Sequence, residues 1–119
     1  MLALLKREPA APRVKAAIDA GTALASWINL GEVYYQEVRR VGETRAASAI
    51  ELLRRSLRTE LADPDMVIAA ARVKAGGGIS YADCFAVATA QRHGAPILTG
   101  DPEIVALQGE IEVVDLRCG

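Results

Sequence analysis

Apolar and polar positions along the chain alternate between two rhythms. From Thr44 to Arg55, Ala46, Ala49, Ile50 and Leu53 recur at i, i+3, i+4 and i+7, the period of one helical face. A similar rhythm runs from Ser26 through Val33, Tyr34 and Val38 to about Val41, with Gly42 as its stop and Ser26 or Asn29 as its N-cap. Asp63-Pro64 combines a cap with a first-position proline, and the helix it opens runs over Val67–Ala75 to the glycines Gly76–Gly78. Ser80 opens another helix through Phe85-Ala86-Val87-Ala88, closed by His93-Gly94. Towards the start, Met1–Lys6 reads as the back half of an amphipathic helix, and Ala11–Asp19 as a short helix. Pro102–Leu107 makes a last one. Between the helices lie short apolar runs of strand type: Thr22–Ala25, Ser56–Leu61, Pro96–Thr99 and the alternating Ile111–Leu116.

Helices alternating with short apolar strands predict an α/β fold: a three-layer α/β/α domain with a short parallel sheet. The 119 residues suffice for one domain, 1–119, with a real core. With one Trp, three Tyr and one Phe, that core must be built from Ala, Val, Leu and Ile.

Charge and cysteine content then narrow the function. A net charge of −1 argues against a generic electrostatic nucleic-acid binder, while leaving room for local phosphate contacts. Arg39, Arg40, Arg45, Arg54, Arg55 and Arg58 crowd the middle of the chain, either as a solvated helix face or as a phosphate-contacting strip. Trp27, Tyr34 and Tyr35 at helical spacing read as packing residues rather than base-stacking ones, or as a contact for a partner helix. Two cysteines exclude a disulfide scaffold and a structural zinc site, and Cys84 falls inside an apolar helix as a small core residue. Neither a signal peptide nor a membrane-length apolar run is visible, so the protein is expected in the cytoplasm and off the membrane.

With one histidine, no Ser-His-Asp set and no phosphate-cradling glycine loop, the candidate chemistry lies with carboxylates at the ends of apolar elements: Glu32, Asp83 and Asp101. Three converging oxygen ligands suit Mg²⁺ or Mn²⁺. Each acid also has a purely structural reading. Asp83 fits a capping box with Ser80, Glu32 fits one with Asn29, and Asp101 fits a plain N-cap. Asp63 is the internal control, an Asp-Pro start without companion acids.

SxxNLGEV over Ser26–Val33, followed by ISYADCFAVATAQRHGAPILTGDPE over Ile79–Glu103, resembles the signature of PIN-domain proteins, and in particular VapC-type toxin ribonucleases. The resemblance extends over essentially the whole chain. It implies a compact α/β/α fold and cleavage of RNA with Mg²⁺ or Mn²⁺ held by Glu32, Asp83 and Asp101, with Ser26 assisting nearby. It also implies a homodimer and a VapB-like antitoxin whose segment occupies a groove near the acids. One departure stands out. Members begin with a strand ending in Asp, whereas here Met1–Pro9 aligns with the helix that follows it. The expected domain therefore lacks the family's first strand and first acid. That leaves, as the alternative to an active nuclease, a catalytically impaired PIN-fold remnant that works by binding an antitoxin-like partner or itself. A phospho-receiver domain, which also clusters acids, lacks here its paired acid and its late lysine.

Overall fold

The computed structural model describes Gly21, residues 23–94, and the backbone of residues 97–99 and 113–115. The helices expected over Met1–Lys6, Ala11–Asp19 and Pro102–Leu107 lie outside the described residues, as does Asp101.

The first described strand, β1 (Leu24–Ser26), is buried along its whole length and runs directly into α1 (Trp27–Val41). Gly42 turns the chain at φ 88°, and α2 (Glu43–Ser56) returns it to β2 (Arg58–Glu60). β1 and β2 are parallel, with Leu24 opposite Arg58, Ala25 opposite Thr59 and Ser26 opposite Glu60. Parallel strands cannot be joined by a tight hairpin, and the α1–α2 pair is the crossover that joins them. Two helices follow, α3 (Pro64–Ala75) and α4 (Tyr81–His93), and then β3 (Ile97–Thr99) and β4 (Val113–Asp115). β3 and β4 are also parallel, in the register Ile97–Val113, Leu98–Val114 and Thr99–Asp115.

The centre of this arrangement is α4. It packs against α1, α3, β1 and β3, and every residue from Asp83 to Ala90 is buried. A helix covered on all sides must be apolar all round, and the run Cys84-Phe85-Ala86-Val87-Ala88 meets that demand. The alanines keep it thin enough for close approach, and Met66 and Ala70 of α3, Leu24 of β1 and Ile79 complete the cluster. Thr89, also buried, gives its hydroxyl proton to the Phe85 carbonyl at 2.7 Å, so a polar atom in the core is satisfied within its own helix. Cys84 is a core residue with no exposure, as its place in the apolar run suggested.

Local chemistry sets the ends of α4. Ser80 Oγ accepts from the Asp83 N–H at 3.2 Å at the start, and Gly94 adopts the left-handed conformation (φ 58°) at the end. The connector before it needs glycine as well: Gly77 and Gly78 hold φ of 79° and 93°, where a side chain would be strained. Among the described residues, no helix is long and apolar enough to cross a membrane.

Candidate metal centre

The site is built where two helices begin. α1 starts from the carboxyl end of the buried parallel strand β1, the edge at which open α/β sheets bind ligands. Ser26, the last residue of that strand, is also the N-cap: its Oγ accepts from the Ile28 N–H at 3.2 Å. Asn29 therefore lies inside the helix, and the alternative in which it caps α1 and pairs with Glu32 in a capping box does not hold. Its amide does something else. Asn29 Nδ2 donates to the Ala82 carbonyl at 2.9 Å, clamping the first turn of α1 to the first turn of α4.

That clamp ties together the two helices that carry candidate acids. Asp83 is the next residue after Ala82, and Glu32 is three residues beyond Asn29, on the neighbouring position of the same helical face. Glu32 is half-buried, and Asp83 is only 1% exposed. Both residues have interaction partners in the structure. The capping reading of Asp83 is met by its backbone, since Ser80 Oγ takes the Asp83 N–H. A residue with an apolar side chain at this position would keep that bond, so capping alone does not call for a buried carboxylate.

The donor set is the kind a hard divalent cation takes. Glu32 and Asp83 supply carboxylate oxygens. Asn29 Oδ1 is buried and has no hydrogen-bond partner among the described residues. An orphaned buried carbonyl is rare, and oxygen donors of this type suit Mg²⁺ or Mn²⁺ rather than softer metals. Among the described residues no three His, Cys, Asp or Glu side chains form a metal-holding group. The third acid named from the sequence, Asp101, lies outside them, two residues past the end of β3. The backbone brings one more acid to that edge: Asp115 ends β4 opposite Thr99, the last residue of β3. The sequence pattern did not single it out, because it closes an alternating strand like any other polar position.

Two other groups are removed from the chemistry. Burial pushes the Cys84 thiol above its ordinary pKa, which makes it a poor nucleophile. Asp63, the internal control, is fully accounted for by structure. Its Oδ1 caps α3 by accepting from the Met66 N–H at 2.8 Å, and also accepts from Arg92 Nη2 at 2.9 Å. Arg92 Nη1 reaches Glu60 Oε1 at 2.7 Å, and Glu60 Oε2 meets His93 Nε2. This network ties β2 and the start of α3 to the far end of α4.

The arginines named from the sequence are solvent-exposed. Arg40 is held by Glu37 through two hydrogen bonds, and Arg54 and Arg55 both pair with Glu51. Tyr34 and Tyr35, read from spacing as packing residues, are instead exposed, Tyr35 because it lies well round the helix from the core-facing Leu30.

The PIN domain family model matches residues 1–110. No curated protein gives a significant sequence match. Several solved structures share the fold. A DNA-bound VapBC from Salmonella typhimurium is 19% identical, with 97% of each chain covered and a TM-score of 0.74. VapBC2 from Rickettsia felis, bound to a DNA fragment from its promoter, is 13% identical over 97% of this chain and 98% of that one, with a TM-score of 0.71. VapC20 from Mycobacterium tuberculosis, a toxin that cleaves the sarcin–ricin loop, is 23% identical over 78% of each chain, with a TM-score of 0.63.

Proposed function

This chain belongs to the PIN-domain family, and from that premise we propose that it is a VapC-type toxin: an endoribonuclease that hydrolyses RNA phosphodiesters with Mg²⁺ or Mn²⁺ held by Glu32, Asp83 and Asp101. The observation that carries this reading is the Asn29–Ala82 hydrogen bond, which ties the helix carrying Glu32 to the helix carrying the buried Asp83 although fifty-one positions separate the two acids in sequence. When bound, the ion supplies charge stabilisation at the phosphate and a water of lowered pKa.

The chain's own residues prepare the site for that chemistry. Ser80 fixes the first turn of α4 and thereby the backbone of Asp83. Asn29 locks α4 against α1, so that the spacing of Glu32 and Asp83 is set by two packed helices rather than by loops. Burial of Asp83 excludes bulk water from one side of the site, where charges interact more strongly. The Ser26 hydroxyl, at the end of β1, accepts from Ile28 and keeps its own proton available for a neighbouring oxygen.

Several similar structures are VapBC assemblies, which supports a VapB-like antitoxin as partner. A homodimer in the cytoplasm completes the reading. The test is cleavage of a structured RNA by the purified chain. Cleavage is expected in Mg²⁺ or Mn²⁺, and its loss is expected in EDTA and in Asp83→Asn. Equal cleavage in EDTA contradicts the metal mechanism. A chain that binds antitoxin or itself but cleaves no RNA is the impaired remnant instead.

A further inference from the structure

One stripe of α1 is left over once the core and the acids are assigned. With 3.6 residues per turn, residues 28, 32, 35 and 39 fall within an arc of roughly 60°. Glu32 is at the edge of that arc nearest Asn29, the residue that faces α4. The others turn outwards: Ile28 is 39% and Tyr35 48% exposed, and Arg39 is exposed as well. The Arg39 guanidinium lies over the Tyr35 ring, 5.4 Å from its centroid. Tyr35 is one helical turn, roughly 4.5 Å, beyond Glu32, and Arg39 is two turns, roughly 10.5 Å, beyond it.

Arg39 differs from its neighbours in charge. Arg40 is neutralised by Glu37, Arg54 and Arg55 share Glu51, and Arg92 is held by Glu60 and Asp63. No carboxylate among the described residues pairs with Arg39. A half-exposed aromatic ring with a planar cation over one face, that cation paired with no carboxylate among the described residues, on the same stripe as a candidate catalytic acid, has the chemistry of a single-strand nucleotide step. The ring takes a base and the guanidinium takes a phosphate.

We infer that Tyr35 and Arg39 form a positioning subsite for single-stranded RNA, in which a base next to the scissile phosphate stacks on Tyr35 and the following phosphate meets Arg39. The inference rests on the ribonuclease reading of Glu32 and Asp83. The stacking requires an unpaired segment, since bases inside a duplex have no free face to stack.

Binding is measured with the wild-type chain in EDTA, so that no cleavage intervenes, using a fluorescein-labelled single-stranded RNA 12-mer of mixed sequence and anisotropy as the readout. Tyr35→Ala is expected to weaken binding by about 5- to 150-fold, the range of one lost base stack, and Tyr35→Phe to restore it. Arg39→Gln lowers the slope of log affinity against log salt by about 0.7, one single-strand phosphate contact, whereas Arg40→Gln, whose charge Glu37 already balances, leaves it unchanged. The Ala variant is safe for the fold because Tyr35 is half exposed and Ala is the best helix former. With Mn²⁺ restored, Tyr35→Ala raises KM.

Tyr35→Ala with wild-type RNA affinity, in a chain that still cleaves RNA, overturns the subsite and leaves the nuclease reading intact. Loss of self-association in Tyr35→Ala with RNA affinity unchanged overturns it too, because the stripe would then be a protein interface. No cleavage of any RNA by the wild type removes the nuclease reading, and the subsite with it.

Discussion

Two described helices of this protein begin on turns that carry an aspartate, and the two turns are used in opposite ways. Asp63 is exposed, caps α3 with its own side chain and anchors Arg92. Asp83 is 1% exposed, three residues inside a helix that Ser80 already caps. Asp63 is explained once its hydrogen bonds are counted. For Asp83, capping explains the backbone and does not by itself call for a buried side-chain carboxyl. The difference teaches how to separate a structural acid from a functional one: ask whether the helix start would survive without the carboxylate.

The largest expected effect follows at once. Asp83→Asn should reduce RNA cleavage by more than about 100-fold, beyond the usual cost of losing an outer-sphere partner of a metal site. Its fold should remain intact by circular dichroism, since Ser80 still caps the helix. Asp63→Asn should do the reverse, keeping activity and losing stability. Identical behaviour of the two variants would dissolve the contrast.

Next in size is Asn29→Ala. Asn29 touches no substrate in this reading; it positions Asp83 through Ala82. Steady-state kinetics should show kcat reduced by about 10- to 100-fold, the range for groups that orient metal ligands, with KM little changed. A change confined to KM would place Asn29 in substrate binding instead.

Ser80→Ala removes the cap of α4, and chemical denaturation should report a loss of about 1 kcal/mol. Activity per folded molecule should stay near wild type if Ser80 serves only the fold.

The smallest effect belongs to the Arg92 network and is read in acid. The Arg92 hydrogen bond, and then the Met66 N–H, hold Asp63 below its ordinary pKa. For Glu60, burial pushes the pKa up, but the His93 and Arg92 hydrogen bonds outweigh it and the net shift is downward. Groups with depressed folded-state pKa values add stability above their unfolded values and lose it as the pH falls through the folded ones. Arg92→Gln should therefore lower stability near neutrality and flatten its fall below about pH 4, where carboxylates ordinarily titrate, so that the difference from the wild type shrinks in acid. An unchanged acid limb would mean that the network is solvated away.

Much of the fold was legible in the sequence, and the legible parts share a cause. Ser26, Gly42, Asp63-Pro64, Ser80 and Gly94 mark helix ends through local backbone chemistry, and the structure places the ends there. The strand expected over Ser56–Leu61 contracts to Arg58–Glu60, because its length depends on pairing with three-residue β1. Of the candidate site, the motif contexts singled out Glu32 and Asp83, and the structure shows that the helices carrying them are tied together. What ties those helices was not legible. Asn29 reads locally as a possible cap, and only the packing of α1 on α4 turns it into a clamp. The exposure of Tyr34 and Tyr35, the Glu60–Arg92–His93 network and the register of Asp115 against Thr99 likewise depend on contacts between elements far apart in sequence.

The contrast between the two aspartates is tested most directly by metal-linked stability, which needs no RNA. Thermal or urea unfolding of the wild type, Asp63→Asn and Asp83→Asn should be followed with and without Mn²⁺. An ion that binds only the folded chain stabilises it by about 2.7 kcal/mol at one hundred times its dissociation constant. Wild type and Asp63→Asn should show a Mn²⁺-dependent gain that saturates together, and Asp83→Asn should show little or none. An equal gain in Asp83→Asn, or no gain in the wild type, would contradict a metal centre at the junction of α1 and α4.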